Sequence, residues 1–502
     1  MTKKIKGSLM VQGTASSAGK SLIVMGLCRI LTRKNIKVAP FKPQNMSNNA
    51  MVADDGGEIG RAQAFQAMAC GIATSHHFNP ILLKPLGNNL SQLVVHGEAG
   101  GNLTAKQYYA KKNRLIKKIL ESYRHLQQIY DVVIVEGAGS PAEVNLRKAD
   151  MANMGFADKV KCPVLLVGDI DRGGVIASLV GSHAVLSTTD RNLIKGFIIN
   201  KFRGDEKLFI EAEKYISQKT AWQNLGIIPF FEKANMFPDE DSLSFQLQHR
   251  HILQHHLPQR VAVFQTPHMA QSDDLLPLQY MLNNNGYGLS IIKAGDKMPS
   301  GINMMILMGS KNTNADLKFL RDNDFDKIII QHYQHGGMVV GLCGGYQMLG
   351  QDIIEKYGVE SHGYKKARGL GLIPTTTILE KTKILSHASG QERLFGTTLQ
   401  GYEIHAGITR WIDSEKTQNH DVFMTSHDGK TDGYISRDKK LVGTYLHGLF
   451  GNHAFLLRCL TSNNLTIHHK TSYHHALDRA IDDWADFLSH HLNIKKMMGL
   501  IK

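Results

Sequence analysis

The chain has 502 residues, 42% of them hydrophobic and 20% charged, with 47 glycines and a formal net charge of +14. That length exceeds what one hydrophobic core supports and predicts about two to four domains, and the composition excludes a disordered or fibrous chain. No run approaches the roughly 20 apolar residues of a membrane span, and MTKKIKGSLMVQG at the N-terminus has no apolar signal core, so a cytoplasmic protein with no membrane partner is expected. Five cysteines (Cys28, Cys70, Cys162, Cys343 and Cys459) form no C-x-x-C pair, which indicates neither a disulfide frame nor a zinc site. The positive balance favours anionic partners. Charge alone does not choose among nucleotide phosphates, a polycarboxylate and nucleic acid, but no nucleic-acid-binding signature is present and nucleic acid is not expected.

Residues 8–12 read as a short apolar strand running into GTASSAGKS, Gly13–Ser21, and then a helical pattern. Strand, glycine loop and helix make a phosphate site: the amides of Gly13, Thr14 and Gly19 with the helix N-terminus cradle phosphate oxygens, Lys20 reaches the terminal phosphates and Ser21 offers a hydroxyl to Mg²⁺. Thr14 stands where the strict P-loop pattern has its first glycine, so a chance glycine turn competes with this reading. KVAPFKPQNMSNNA adds a strand and a polar loop whose Lys42, Gln44, Asn45, Asn48 and Asn49 suit either a carboxylate-rich substrate or ordinary turns. Glu58 falls on the first turn of a helix predicted over GGEIGRAQAFQAMA, as a dipole partner or a metal ligand. Residues 104–129 read as one long basic amphipathic helix. DVVIVEGAG then ends a buried strand in Glu136, where a Mg²⁺ ligand belongs in an open parallel sheet. Strands ending at Asp169 and Asp171, with Arg172 beyond, and at Asn200 and Lys201 follow, and LGIIPF closes a doubly wound parallel sheet.

The segment 234–258 loses periodicity and collects charge and histidine. His249, His251, His255 and His256 lack partners at ligand spacing and read as a solvated linker. A second α/β unit follows over 259–455. Its centre is GLCGGYQML, Gly341–Leu349, a G-x-C-x-G nucleophile elbow that holds Cys343 at a strand-to-helix joint, with the Gly344 amide aimed at an oxyanion. The amides of Gly309 and Ser310, at the end of LMGSKNT, are candidates for the rest of that oxyanion hole. His405 and His447 are the candidate bases, and His447 is preferred because it follows a short apolar strand and precedes Gly448. Leu477, Ile481, Trp484 and Leu488 share a helical face in the tail 456–502, which is expected to pack on the second domain.

GTASSAGKS, PFKPQNMSNN, GGEIGRAQA, VEGAGSPAEVNL, ADMANMGFA, GDIDRGG, GFIINKFRGD, GSKNT, GLCGGYQMLG, GYEIHAG and GTYLHGLF, in this order, resemble the glutamine-hydrolysing cobyric acid synthase family across nearly all of residues 8–455. The resemblance implies an N-terminal P-loop-type domain over 1–233, similar to dethiobiotin synthetase, and a C-terminal class I-like glutamine amidotransferase domain. It implies amidation of side chains b, d, e and g of adenosylcobyrinic acid a,c-diamide, with ATP, Mg²⁺, L-glutamine and a corrinoid polycarboxylate as cofactors and substrates. By the same resemblance Cys343 is the glutaminase nucleophile and His447 its base, Lys20 and Ser21 serve ATP and Mg²⁺, Glu136 and Glu58 are metal ligands, Asn200 reads the adenine, and Lys42 and Asn45 bind substrate. Triad amidotransferases carry a Glu two residues after the His, and here that position is Leu449, which leaves the group orienting His447 unassigned. Cobyrinic acid a,c-diamide synthase is the nearest alternative, and a partition-type P-loop ATPase is the alternative from another class.

Overall fold

The computed structural model describes residues 5–87, 89–237, 257–360, 366–412 and 421–502. The four linker histidines lie outside these residues. The chain divides into two compact units: one comprises 1–47, 53–237 and 477–502, the other 48–52 and 238–476.

The first unit is built on a parallel sheet. β1 (Gly7–Gly13) is followed by α1 (Lys20–Arg33), β2 (Val38–Phe41), β3 (Val132–Glu136), β4 (Val164–Asp169), β5 (Ile194–Phe202) and β6 (Gln223–Pro229). The spatial order is β6-β5-β4-β1-β3-β2. Every residue of β3 and β4 is buried, because helices cover both faces of a parallel sheet; VVIVE and VLLVGD are apolar without alternation for that reason. β1 lies between β3 and β4, so the chain reverses its direction of travel there and leaves a crevice at the strand C-termini, where such sheets bind ligands.

Two local expectations are corrected. The 104–129 segment is two helices, Ala105–Ala110 and Lys112–Ile129, the first opened by a capping box between Thr104 and Gln107. Glu58 is not on a helical turn: Glu58–Gly60 is a short strand, and the helix starts at Arg61.

The tail is also corrected. From Leu477 it belongs to the first unit. Leu477, Ile481, Trp484 and Leu488 are buried, and the Trp484 Nε1–H donates to the Leu22 carbonyl at 2.7 Å. Along the same helix, Tyr473–His491, an acidic row faces the arginines of α1: Arg33 reaches Asp482 at 2.7 Å and Asp486 at 2.6 Å, and Arg29 pairs with Asp478. The apolar face supplies most of the stabilisation, since exposed ion pairs contribute about 0–1 kcal/mol each.

The second unit repeats the layered plan with β7 (Gln259–Phe264), β8 (Gly288–Ile292), β9 (Met304–Leu307), β10 (Met338–Leu342), α2 (Gly344–Leu349) and β11 (Leu441–Thr444). The order β8-β7-β9-β10-β11 is parallel throughout, and Tyr434–Ile435 adds an antiparallel edge. A long antiparallel hairpin, Thr375–Glu392 with Thr398–Trp411, forms the core of a further sheet. No helix among the described residues is long and apolar enough to cross a membrane.

Candidate functional site

Cys343 occupies the joint between β10 and α2 with φ 51° and ψ −107°, a strained conformation for a residue with a side chain. The flanking glycines let the chain pass: a Cβ on Gly345 would lie 2.0 Å from the Leu307 carbonyl oxygen. The Cys343 amide is tied to the Thr444 carbonyl at 2.8 Å, which joins the elbow to the end of β11. Three residues beyond β11 comes His447, whose imidazole feels the Cys343 sulfur, while the thiol itself donates to the Ile404 carbonyl at 3.7 Å. Gly309 faces both: a methyl group there would stand 3.5 Å from His447 Cε1 and 3.8 Å from Cys343 Cβ. A Cβ on Gly344 would lie 2.7 Å from the Ser310 amide nitrogen, so the two amide-bearing segments expected to form the oxyanion hole meet beside the sulfur.

His447 is held on three sides. Its backbone exchanges hydrogen bonds with Tyr402 at 2.8 and 3.2 Å, its ring stacks on the Tyr402 ring, and Nδ1 meets Asp274 Oδ2 at 2.7 Å. The other Asp274 oxygen accepts from the Gly448 amide at 3.1 Å, and the carboxylate is fully buried. Burial alone would lower the imidazole pKa, but the Asp274 carboxylate and the Cys343 sulfur prevail and push it up to about 10. Asp274 therefore fills the role that Leu449 leaves open. His405 is occupied differently: Nδ1 is 2.7 Å from the Gly407 carbonyl and the ring stacks on Tyr445, so the structure places His447, not His405, at the sulfur.

In the first unit the Gly13–Ser21 loop joins β1 to α1. Gly19 has φ 96°, and a Cβ there would fall 2.1 Å from the side-chain nitrogen Nδ2 of Asn200. Lys20 Nζ donates to the Ala15 and Gly139 carbonyls at 3.0 and 3.2 Å, and burial together with nearby Lys42 lowers its pKa to about 8 against the pull of Glu136. Ser21 Oγ donates to Glu136 Oε1 at 2.7 Å, Lys42 Nζ meets the same oxygen at 2.9 Å, and Gln66 donates to Oε2 at 2.6 Å. Glu136 is buried, which would raise its pKa, yet Lys42 and these donors hold it below the usual carboxylate range.

The other expected residues lie as follows. Asn200 donates to the Ala18 carbonyl at 2.8 Å and so braces the phosphate loop. Lys42 and Asn45, expected in a polar loop, are both buried, Asn45 donating to Gln63 at 3.0 Å. Asn48 and Asn49 group with the second unit. Glu58 is buried and bound by Lys84. Among the described residues no group of three or more His, Cys, Asp or Glu side chains is arranged to hold a metal. Ser21 and Glu136 do present two hard oxygens in contact, a pair of the kind that could hold Mg²⁺.

Residues 9–245 match the CobQ/CobB/MinD/ParA nucleotide binding domain, and residues 260–455 match the CobB/CobQ-like glutamine amidotransferase domain. A cobyric acid synthase of Cereibacter sphaeroides is 42% identical over 99% of this chain and 100% of its own length. Those of Bradyrhizobium diazoefficiens and Methylorubrum populi are 42% and 43% identical, each over 99% of both chains. The chain belongs to the cobyric acid synthase family of glutamine-hydrolysing ligases.

Proposed function

We propose that the chain converts adenosylcobyrinic acid a,c-diamide to adenosylcobyric acid, amidating carboxylates b, d, e and g with nitrogen from L-glutamine at the expense of ATP, in the cytoplasm. The observation that carries the reading is the Cys343–His447–Asp274 line in a chain that also sets a phosphate loop against Glu136.

In the second unit, His447 already carries the proton at neutral pH and the Cys343 thiolate attacks the carboxamide carbon of glutamine. The Gly344 amide and the Gly309–Ser310 segment stabilise the tetrahedral oxyanion. His447 gives the proton to the departing ammonia, leaving a γ-glutamyl thioester. Water, deprotonated by His447, then releases glutamate and restores the thiolate. Asp274 keeps Nδ1 protonated and Nε2 turned to the sulfur throughout.

In the first unit a substrate carboxylate oxygen attacks the γ-phosphorus of ATP, ADP departs, and ammonia then displaces phosphate from the acyl phosphate. Loop amides and Lys20 hold the phosphates, and Asn200 and Lys201 keep the loop in shape through Ala18 and Ser17. Ser21 and Glu136 would hold Mg²⁺, which supplies positive charge to the phosphate oxygens when bound.

Incubation with adenosylcobyrinic acid a,c-diamide, ATP, Mg²⁺ and glutamine, followed by mass spectrometry, tests the reading. Four carboxylates converted to amides is the expected result. An unchanged a,c-diamide, together with a parallel incubation in which cobyrinic acid is taken to its a,c-diamide, would make the chain the enzyme of the earlier step.

A further inference from the structure

Beside the phosphate loop of the first unit lies a cavity of about 120 Å³, bordered by Gln44, Tyr108, Tyr109, Ser140, Leu146 and Asn153. Ala138 and Ser140 line it, and Gly139 between them accepts from Lys20 Nζ at 3.2 Å, so cavity and phosphate site share one turn. Its size is well below the roughly 300–1,000 Å³ that encloses a whole drug-sized ligand. A carboxyalkyl arm fits it; a macrocycle does not.

Two of the three charged groups at its edge, Arg147 and Asp150, are engaged, and the third, Glu143, is exposed. Arg147 makes a two-point bond to Asp190 at 2.8 and 2.9 Å, and the Asp150 carboxylate accepts from the amides of Ala152, Asn153 and Gly155 at 2.7–2.9 Å. Beside Glu143 the cavity presents the Ser140 hydroxyl, and Gln44 with its Oε1 taking the Tyr108 hydroxyl at 2.5 Å. At the rim, Tyr109 is 40% and Leu146 39% exposed, with Val144 beside them at 47%. Large apolar side chains left in water this close to a reaction centre mark a contact surface.

From this we infer that the cavity and its rim are the corrinoid site: one side-chain arm enters past Gln44 and Ser140 toward the phosphate loop, while the apolar face of the ring rests on Tyr109 and Leu146. The inference rests on the functional reading above and adds to it where the substrate binds. A lining whose one cation, Arg147, is taken up by Asp190 suits a substrate whose arms change from carboxylate to carboxamide as the reaction proceeds, because a Gln amide and a hydroxyl each both donate and accept, whereas a free cation would favour the unreacted arm alone. An open apolar shelf likewise lets the ring turn to present each arm in succession. The same unit has a larger groove, about 560 Å³, walled by Ile170, Val175, Ile176, Phe209 and Tyr215, but it offers an arm almost nothing polar.

The test is steady-state kinetics of the full-length enzyme with ammonia as nitrogen donor, which takes the glutaminase out of the measurement. Tyr109→Ala and Leu146→Ser should each raise the KM for the corrinoid about tenfold, with the KM for ATP and the thermal midpoint unchanged. Tyr109→Phe should keep the wild-type KM, since the ring face makes the contact, and Tyr215→Ala in the larger groove should also leave it unchanged. Unaltered corrinoid KM values in both rim variants, or a rise confined to Tyr215→Ala, would overturn the site while leaving the functional reading intact. A wild-type enzyme that amidates no corrinoid overturns the reading and the site together.

Discussion

Asp274 and His447 are 173 residues apart in the chain, yet the carboxylate of one lies 2.7 Å from Nδ1 of the other and also accepts from the next backbone amide. A short turn, Ser272–Leu275, thus supplies from upstream the acid that a Glu two residues after the histidine would otherwise provide. Asp274→Asn should cut glutamine-dependent turnover by about 10²–10⁴-fold, because the amide can present its N–H to Nδ1 and select the wrong tautomer. Asp274→Glu should recover part of the loss, and ammonia-dependent amidation should be untouched in both. Glutaminase activity within threefold of wild type in Asp274→Asn would show that the imidazole is oriented by something else.

The same pair sets a pH dependence. The folded pKa of His447 is raised from 6.5 to about 10, so the stability it contributes is complete below 6.5 and is lost as pH rises through about 10. In thermal unfolding the difference between wild type and Asp274→Asn should therefore be largest near neutral pH and below, and should shrink on the alkaline side. A difference that grows with pH would reverse the assignment.

Gly309 and Gly345 separate function from folding. A methyl at 309 meets its neighbours at 3.5–3.8 Å, ordinary contact, but lies against both the imidazole and the Cys343 side chain. Gly309→Ala should keep its thermal midpoint and lose about 10- to 100-fold in kcat/KM for glutamine. Gly345→Ala drives a methyl against the Leu307 carbonyl and should cost about 1–3 kcal/mol of stability. Equal midpoints for the two variants would contradict this division.

What could be read from the sequence was local. The turns around Cys343 and Gly13–Ser21 are contiguous runs in which glycine spacing, strand and helix occur side by side, so their geometry follows from short-range sterics. Asp274 could not be found that way: its only mark is a DDLLP run, and the contact depends on how two distant loops close at the end of one sheet. The tail shows the same limit. Its apolar face announces burial, but only the match of its acidic row with Arg29 and Arg33 says which unit receives it. Glu58 misled because a three-residue strand carries too little pattern to be told from a helix start, and the run around Lys111 hid a break because both pieces share one amphipathic face.

Lys20 links nucleotide binding to protons. Burial and Lys42 lower its pKa to about 8, and triphosphate oxygens would raise it again. ATP binding near and above that pH should take up protons. Titration calorimetry in buffers of different ionisation enthalpy measures this directly, and Lys20→Met should abolish the uptake. Proton release on binding would contradict the burial account of the lysine.

Leu488 is fully buried, with its Cδ1 against Gly26 of α1. Leu488→Ala should destabilise the nucleotide-binding unit by about 2–5 kcal/mol. The loss should appear in the unfolding transition that ATP protects, and a loss confined to an ATP-insensitive transition would return the tail to the other unit.

The central claim is that one unit frees ammonia and the other activates the acid that receives it. Its most direct measurement is corrinoid amidation by Cys343→Ala with glutamine or with ammonium as the nitrogen source. The expected result is no product with glutamine and near wild-type product with ammonium. Product from glutamine, or none from either source, would contradict the claim.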